Sequence, residues 1–190
     1  VQITEISSDR RQMLRDIKQE SPSITAAVEV GTWRGDFSVI MMEILKPEQF
    51  FAVDPYALFP GMVSAPGSEY GTQDSLDQLA GRVSARLQAL GGKLIRDKSV
   101  GGATQFADNS LDMVYIDGDH TYAGVVQDIK SWWPKVKAGG YLCGDDYGAG
   151  KTGKGFEYGV VEAVGEFVQE HNLDLKIYQS GQSQWLIKKA

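Results

Sequence analysis

Two short acidic runs carry the residues best suited to chemistry, Asp117-Gly118-Asp119-His120 and Gly144-Asp145-Asp146-Tyr147. Each follows an apolar run of strand character, so both are expected to open onto one crevice at the same edge of a sheet. Several carboxylates and an imidazole gathered there repel one another unless positive charge sits among them. A hard divalent cation would relieve that repulsion, and Asp117, Asp145 and Asp146 are the candidate oxygen ligands, with open positions left for a substrate's hydroxyl groups. His120, three residues beyond Asp117, is placed to take a proton from an acceptor hydroxyl near neutral pH. Asp119 and Thr121 read as caps of a helix starting near Tyr122. The second histidine, His171, stands in a polar helix end and reads as a surface residue.

A glycine-bearing turn is the other chemical feature. Val28-Glu29-Val30-Gly31-Thr32-Trp33-Arg34-Gly35 runs from a strand into a helix that begins at Asp36. Gly31 permits a tight turn and close approach of a ligand, and the helix-start amides favour a polar or anionic group. Asp54 ends the next predicted strand, where a carboxylate can accept hydrogen bonds from both hydroxyls of a ribose. The pattern Gly-x-x-x-Gly is not the dinucleotide fingerprint, whose second glycine is Trp33 here. Gly150-Lys151-Thr152 hints at a phosphate loop, but Asp145 stands where that motif needs its first glycine.

These loops need a frame, and the chain supplies an alternation of strands and helices. Buried parallel strands are predicted at Ala26–Val30, 50–53, 93–96, 113–116 and 140–143. Helical stripes separate them: Phe37, Ile40, Met41, Ile44 and Leu45; then Leu76 to Leu90 with Thr72 or Asp74 as cap; then 122–136; then 156–170. Leu175–Tyr178 and 184–187, joined through Ser180-Gly181-Gln182, read as a terminal hairpin. The stretches 55–71 and 148–155 look like loops long enough to cover a pocket, with Phe59, Tyr70, Tyr147 and Phe156 as lining candidates. The expectation is one α/β domain spanning 1–190, with a short helical segment at 1–23 before the first strand.

The chain has 190 residues, 42% of them hydrophobic, which suits a single core. Its net charge of −6 offers no electrostatic footprint for nucleic acid. No apolar run reaches the ~20 residues that span a bilayer. The lone cysteine, Cys143, reads as an inert buried residue and fits a reducing compartment. A cytoplasmic protein acting on a small molecule is expected.

The Glu29-Val30-Gly31 to Gly35 string, strand-end Asp54, the run Tyr115-Ile116-Asp117-Gly118-Asp119-His120-Thr121-Tyr122 and the Trp132-Trp133-Pro134 to Gly140 stretch resemble class I S-adenosylmethionine (SAM)-dependent methyltransferases. The acidic run, paired with Gly144-Asp145-Asp146-Tyr147, is most similar to methyltransferase family 24, which includes macrocin-type sugar O-methyltransferases. The resemblance implies a Rossmann-like seven-stranded sheet ordered 3-2-1-4-5-7-6, with strand 7 antiparallel and helices on both faces. It implies that Glu29, Gly31, Thr32, Trp33 and Gly35 hold the methionyl part of SAM. Asp54 would hold the ribose, Ser99 the adenine side, and Asp117 would border the cofactor. It further implies Mg²⁺ on Asp117, Asp145 and Asp146, with His120 and Asp117 as the catalytic pair. Methyl transfer to a hydroxyl of a small polar acceptor is the expected activity. A nitrogen acceptor, or a SAM-binding domain of a larger protein without catalysis of its own, are the alternatives. Only about 24 residues precede the first predicted strand, where many relatives carry extra helices or an oligomerising extension; this departure leaves the oligomeric state open, with a homo-oligomer as one possible assembly.

Overall fold

A computed structural model of the chain describes residues 1–58, 71–148, 158–179, 181 and 183–190. Among them, eight strands form one sheet: β1 (Ile3–Ile6), β2 (Ala26–Val30), β3 (Gln49–Val53), β4 (Gly92–Ile95), β5 (Leu111–Ile116), β6 (Val136–Gly144), β7 (Leu175–Tyr178) and β8 (Gln184–Lys188). Their order is β1-β7-β8-β6-β5-β2-β3-β4. β8 runs antiparallel to both neighbours, while every other pairing is parallel. From β2 onward this is the expected order and the expected antiparallel last strand.

The sheet has one strand more than the seven expected. Ile3–Ile6 lies inside the segment expected to be helical, and it pairs with β7 at the sheet edge. Its side chains alternate between exposed and half-buried, so no apolar run announces it. Helix α1 (Arg10–Glu20) follows, capped by Asp9, whose carboxylate accepts from the Gln12 amide.

Successive residues of the central strands feed two cores, as the period of two demands. Ala27, Phe50, Ala52, Met113, Tyr115, Tyr141 and Cys143 pack under α1, α2 (Asp36–Leu45) and α3 (Gln73–Ala89). Val28, Val30, Val53, Val114, Ile116 and Leu142 pack on the other face, under α5 (Tyr122–Trp132) and α6 (Val160–Glu170). The expected stripes supply these helices, including Met41, Leu45, Leu87, Val125 and Ile129. Cys143 is buried, as expected. Thr72 caps α3 in a reciprocal box with Ser75. A five-residue helix, α4 (Ser99–Ala103), lies between β4 and β5 and carries two glycines that mask it in the sequence. No helix among the described residues is long and apolar enough to cross a membrane.

Strand register sets up the site. Val30 is level with Val53 and Ile116, Val53 with Ile95, and Ile116 with Gly144. The next residue of each strand therefore emerges along one line: Gly31, Asp54, Arg96, Asp117 and Asp145. Backbone bonds extend the ladder into this row, from Gly31 to Val53, Asp54 to Ile95, Asp117 to Val30 and Asp145 to Ile116.

Candidate active site

The turn after β2 is fixed by two close approaches. Gly31 has φ +86°, and a Cβ placed on it would lie 2.0 Å from the carbonyl oxygen of Asp117. Only glycine fits there, and the loop after β2 consequently rests on the end of β5. Gly35 (φ +74°) stands at the start of α2, where an added Cβ would come within 3.1 Å of Val83 on α3.

Asp54 faces this turn. Its Oδ2 accepts from the Trp33 amide at 3.0 Å and its Oδ1 from the Tyr56 amide at 2.9 Å. The Thr32 amide also bonds this carboxylate, which still has acceptor capacity for a ligand hydroxyl. Burial pushes the Asp54 carboxyl above its usual range, against the pull of those amides. Tyr56, buried, closes the loop by donating its hydroxyl to the Trp33 carbonyl at 2.5 Å. Sequence reading missed Tyr56 because its partner lies across the turn.

Glu29 points into the core beneath α2. It accepts from Thr32 at 2.7 Å and from Ser38, and burial pushes its carboxyl up to about 7. Ser99 opens α4. Its hydroxyl accepts from the Trp132 indole at 2.9 Å and bonds Asp128, whose carboxyl burial lifts to about 6.

The acidic cluster divides into two groups. His120 Nδ1 lies 3.3 Å from Asp146 Oδ2, and His120 Nε2 lies 3.9 Å from Asp117 Oδ1. The Tyr158 ring packs on the imidazole at a centroid distance of 5.3 Å. Asp146 reaches the histidine because its backbone is left-handed, φ +57°, which turns it away from the side taken by Asp145. Asp145 is buried and engaged elsewhere. Its Oδ1 accepts from Gln184 at 2.8 Å and from the Asp146 amide at 2.9 Å, and its Oδ2 faces Arg10 at 3.5 Å. Asp119 serves the helix start: it accepts from the Thr121 amide, and Thr121 caps α5.

Arg10 was not visible as a site residue in the sequence. It starts α1, lies 4.4 Å over the Phe37 ring and brings a guanidinium to 3.5 Å from Asp145. Asp117 is pushed well above the carboxylate range by burial, then by the neighbouring Asp145, Glu29 and Asp146, while Arg10 pulls it down. His171 sits at the end of α6, exposed, as expected. Phe59, Tyr70, Phe156 and Gly150-Lys151-Thr152 lie outside the described residues.

The arrangement sets a hydrogen-bond-accepting carboxylate, Asp54, beside the close turn at Gly31, with a histidine–carboxylate pair at the adjoining strand ends. The profile of methyltransferase family 24, a methyltransferase domain, matches residues 28–147, which contain all of these features except Arg10, Tyr158 and Gln184. The chain belongs to this family of class I SAM-dependent methyltransferases. SAM is the methyl donor of this family. A protein of Acanthamoeba polyphaga mimivirus, uncharacterized protein R132, is 26% identical over 124 residues, 63% of the chain and 50% of that protein. The chain thus spans about half the length of this curated relative. Two solved structures share the fold: a putative caffeoyl-CoA O-methyltransferase from Staphylococcus aureus and the O-methyltransferase NovP. The first has a TM-score of 0.65 at 11% identity, covering 96% of this chain and 85% of the other. For NovP the TM-score is 0.64 at 16% identity, with 95% and 79% covered.

Proposed function

We propose that this methyltransferase moves the methyl group of SAM to a hydroxyl of a small polar acceptor held against Asp117, His120 and Asp146. The observation that carries this reading is the imidazole of His120 set between two carboxylates, beside the loop that rests on Asp117.

SAM, when bound, supplies an already activated methyl carbon, so the protein's tasks are alignment, exclusion of water and removal of one proton. In this reading Gly31, Thr32, Trp33 and Gly35 hold the methionyl arm, Glu29 braces them through Thr32, Asp54 takes the ribose, and Ser99 borders the adenine. With its proton on Nδ1, His120 donates to Asp146 and presents Nε2 as the base that receives the acceptor's proton. Asp146 then stabilises the imidazolium, and Asp117 orients the acceptor oxygen. The net charge of −6 favours a small acceptor over nucleic acid.

A cation is favoured by one specific observation: one ligand atom each from Asp117, His120 and Asp146 lies within 4.8 Å of the others. Two carboxylate oxygens and an imidazole fit a divalent ion, which would lower the pKa of an acceptor hydroxyl in place of the base role, His120 then serving as a ligand. Asp145, engaged by Gln184 and Arg10, does not join that set.

His120→Ala tests the reading. It should keep SAM affinity and lose turnover with hydroxyl acceptors. Unchanged turnover overturns it, and turnover retained only on amines points to nitrogen transfer. Mg²⁺ added to chelator-treated protein should raise turnover if the cation takes part, and leave it unchanged if His120 and Asp146 suffice.

A further inference from the structure

The turn that ends β6 is tied to distant parts of the chain. Asp146 stands there with φ +57°, a conformation an aspartate keeps only where its surroundings over-determine it. Its amide donates to Asp145 Oδ1 at 2.9 Å, and the next amide, of Tyr147, donates to the Ser183 carbonyl at 2.7 Å. Asp145 is the pivot of this turn, its side chain 5% exposed. Gln184, at the start of β8, donates to its Oδ1 at 2.8 Å, and Arg10 brings a guanidinium to 3.5 Å from its Oδ2. Arg10 lies 4.4 Å over the Phe37 ring, which guides its approach from α1. A run of contacts therefore leads from α1 through Asp145 and the Asp146 backbone to the Asp146 carboxylate, 3.3 Å from His120 Nδ1.

We propose that Arg10 is a positioning residue for the His120–Asp146 pair and acts through Asp145. This role rests on the reading of His120 as the base. A buried carboxylate stays in place only with opposite charge and donors around it. Here Arg10 supplies the charge, while Gln184 and the Asp146 amide supply donors. Without Arg10 the buried charge is undercompensated, which draws Asp145 toward water and off the Asp146 amide. The left-handed turn then loses a tie, and Asp146 no longer holds the imidazole proton on Nδ1. Arg10 and Gln184 both fall outside residues 28–147, so the brace comes from segments that the family profile does not include.

The chain has two histidines, so imidazole ¹⁵N–¹H correlation spectra of the full, chelator-treated protein can follow each ring, with His171→Gln assigning the pair. At about pH 8 a free imidazole is neutral and its tautomer is read directly. Wild-type His120 should carry its proton on Nδ1. Arg10→Met should raise the Nε2–H population of His120 severalfold and leave His171 unchanged, while Arg10→Lys, which keeps the charge, should restore the wild-type pattern. Arg10→Gln, equally neutral and suited to a partly exposed helix start, keeps the test open if Arg10→Met misfolds. No shift in a folded neutral variant overturns the role given to Arg10. A wild-type His120 protonated on Nε2 overturns the base reading first, and the role of Arg10 with it.

Discussion

The imidazole of His120 and the carboxylate of Asp146 face each other at 3.3 Å because Asp146 adopts a left-handed backbone at the end of β6. A carboxylate on Nδ1 holds one tautomer and one ring orientation, which leaves Nε2 on the side of Asp117, where the proposed acceptor would sit. Asp146→Asn should therefore lower kcat while SAM affinity stays within about twofold, and His120→Ala should cost about 10²–10⁴ in kcat. Steady-state kinetics with a SAM-binding titration separate the two quantities. A parallel fall in affinity would show that the pair serves binding instead.

Gly31→Ala should be among the most damaging single changes. Its Cβ would collide with the Asp117 carbonyl in a backbone conformation that alanine resists. A loss of more than about 3 kcal/mol is expected in chemical denaturation. Wild-type stability in this variant would mean that the two strand ends can separate.

Asp54 ties two amides of the turn and Tyr56 ties its carbonyl. Asp54→Ala should weaken SAM binding more than about tenfold, because it removes ligand contacts and loosens the loop together. Tyr56→Phe deletes only the brace and should cost about 1 kcal/mol of stability. Calorimetric SAM titration ranks them, and equal losses of affinity would refute the direct role given to Asp54.

Glu29 makes stability depend on pH. Its folded carboxyl sits at about 7 against an ordinary 4.5, mainly through burial. Between those values the folded chain keeps a proton that the unfolded chain has released, so stability falls as pH rises and levels off above 7. Glu29→Gln should gain on the wild type by about 1.4 kcal/mol per pH unit inside that window. Urea unfolding at several pH values checks it; a constant difference would show that Glu29 does not titrate there.

Much of the frame could be read from the residues alone. The strands from β2 to β6 are short runs with buried apolar positions, and β7 and β8 pair antiparallel as the expected hairpin. β1 and α4 escaped for opposite reasons: one is a half-exposed edge strand, the other a short helix rich in glycine. Within the site, Gly31, Asp54, Asp117 and His120 were findable because strand ends announce them. The parting of Asp145 from Asp146 was not, since it depends on one backbone dihedral and on Arg10 and Gln184, which are remote in the chain. No local spacing encodes contacts of that range.

The contact between Gly31 and the end of β5 has a kinetic meaning. Backbone against backbone leaves no flexible side chain between the turn proposed to hold the methyl donor and the strand proposed to deliver the acid–base residues. Their relative placement is settled when the protein folds, so little reorganisation energy is left for the moment of transfer. Changes in acceptor choice would then have to arise in the segments around this junction, while the junction itself stays fixed.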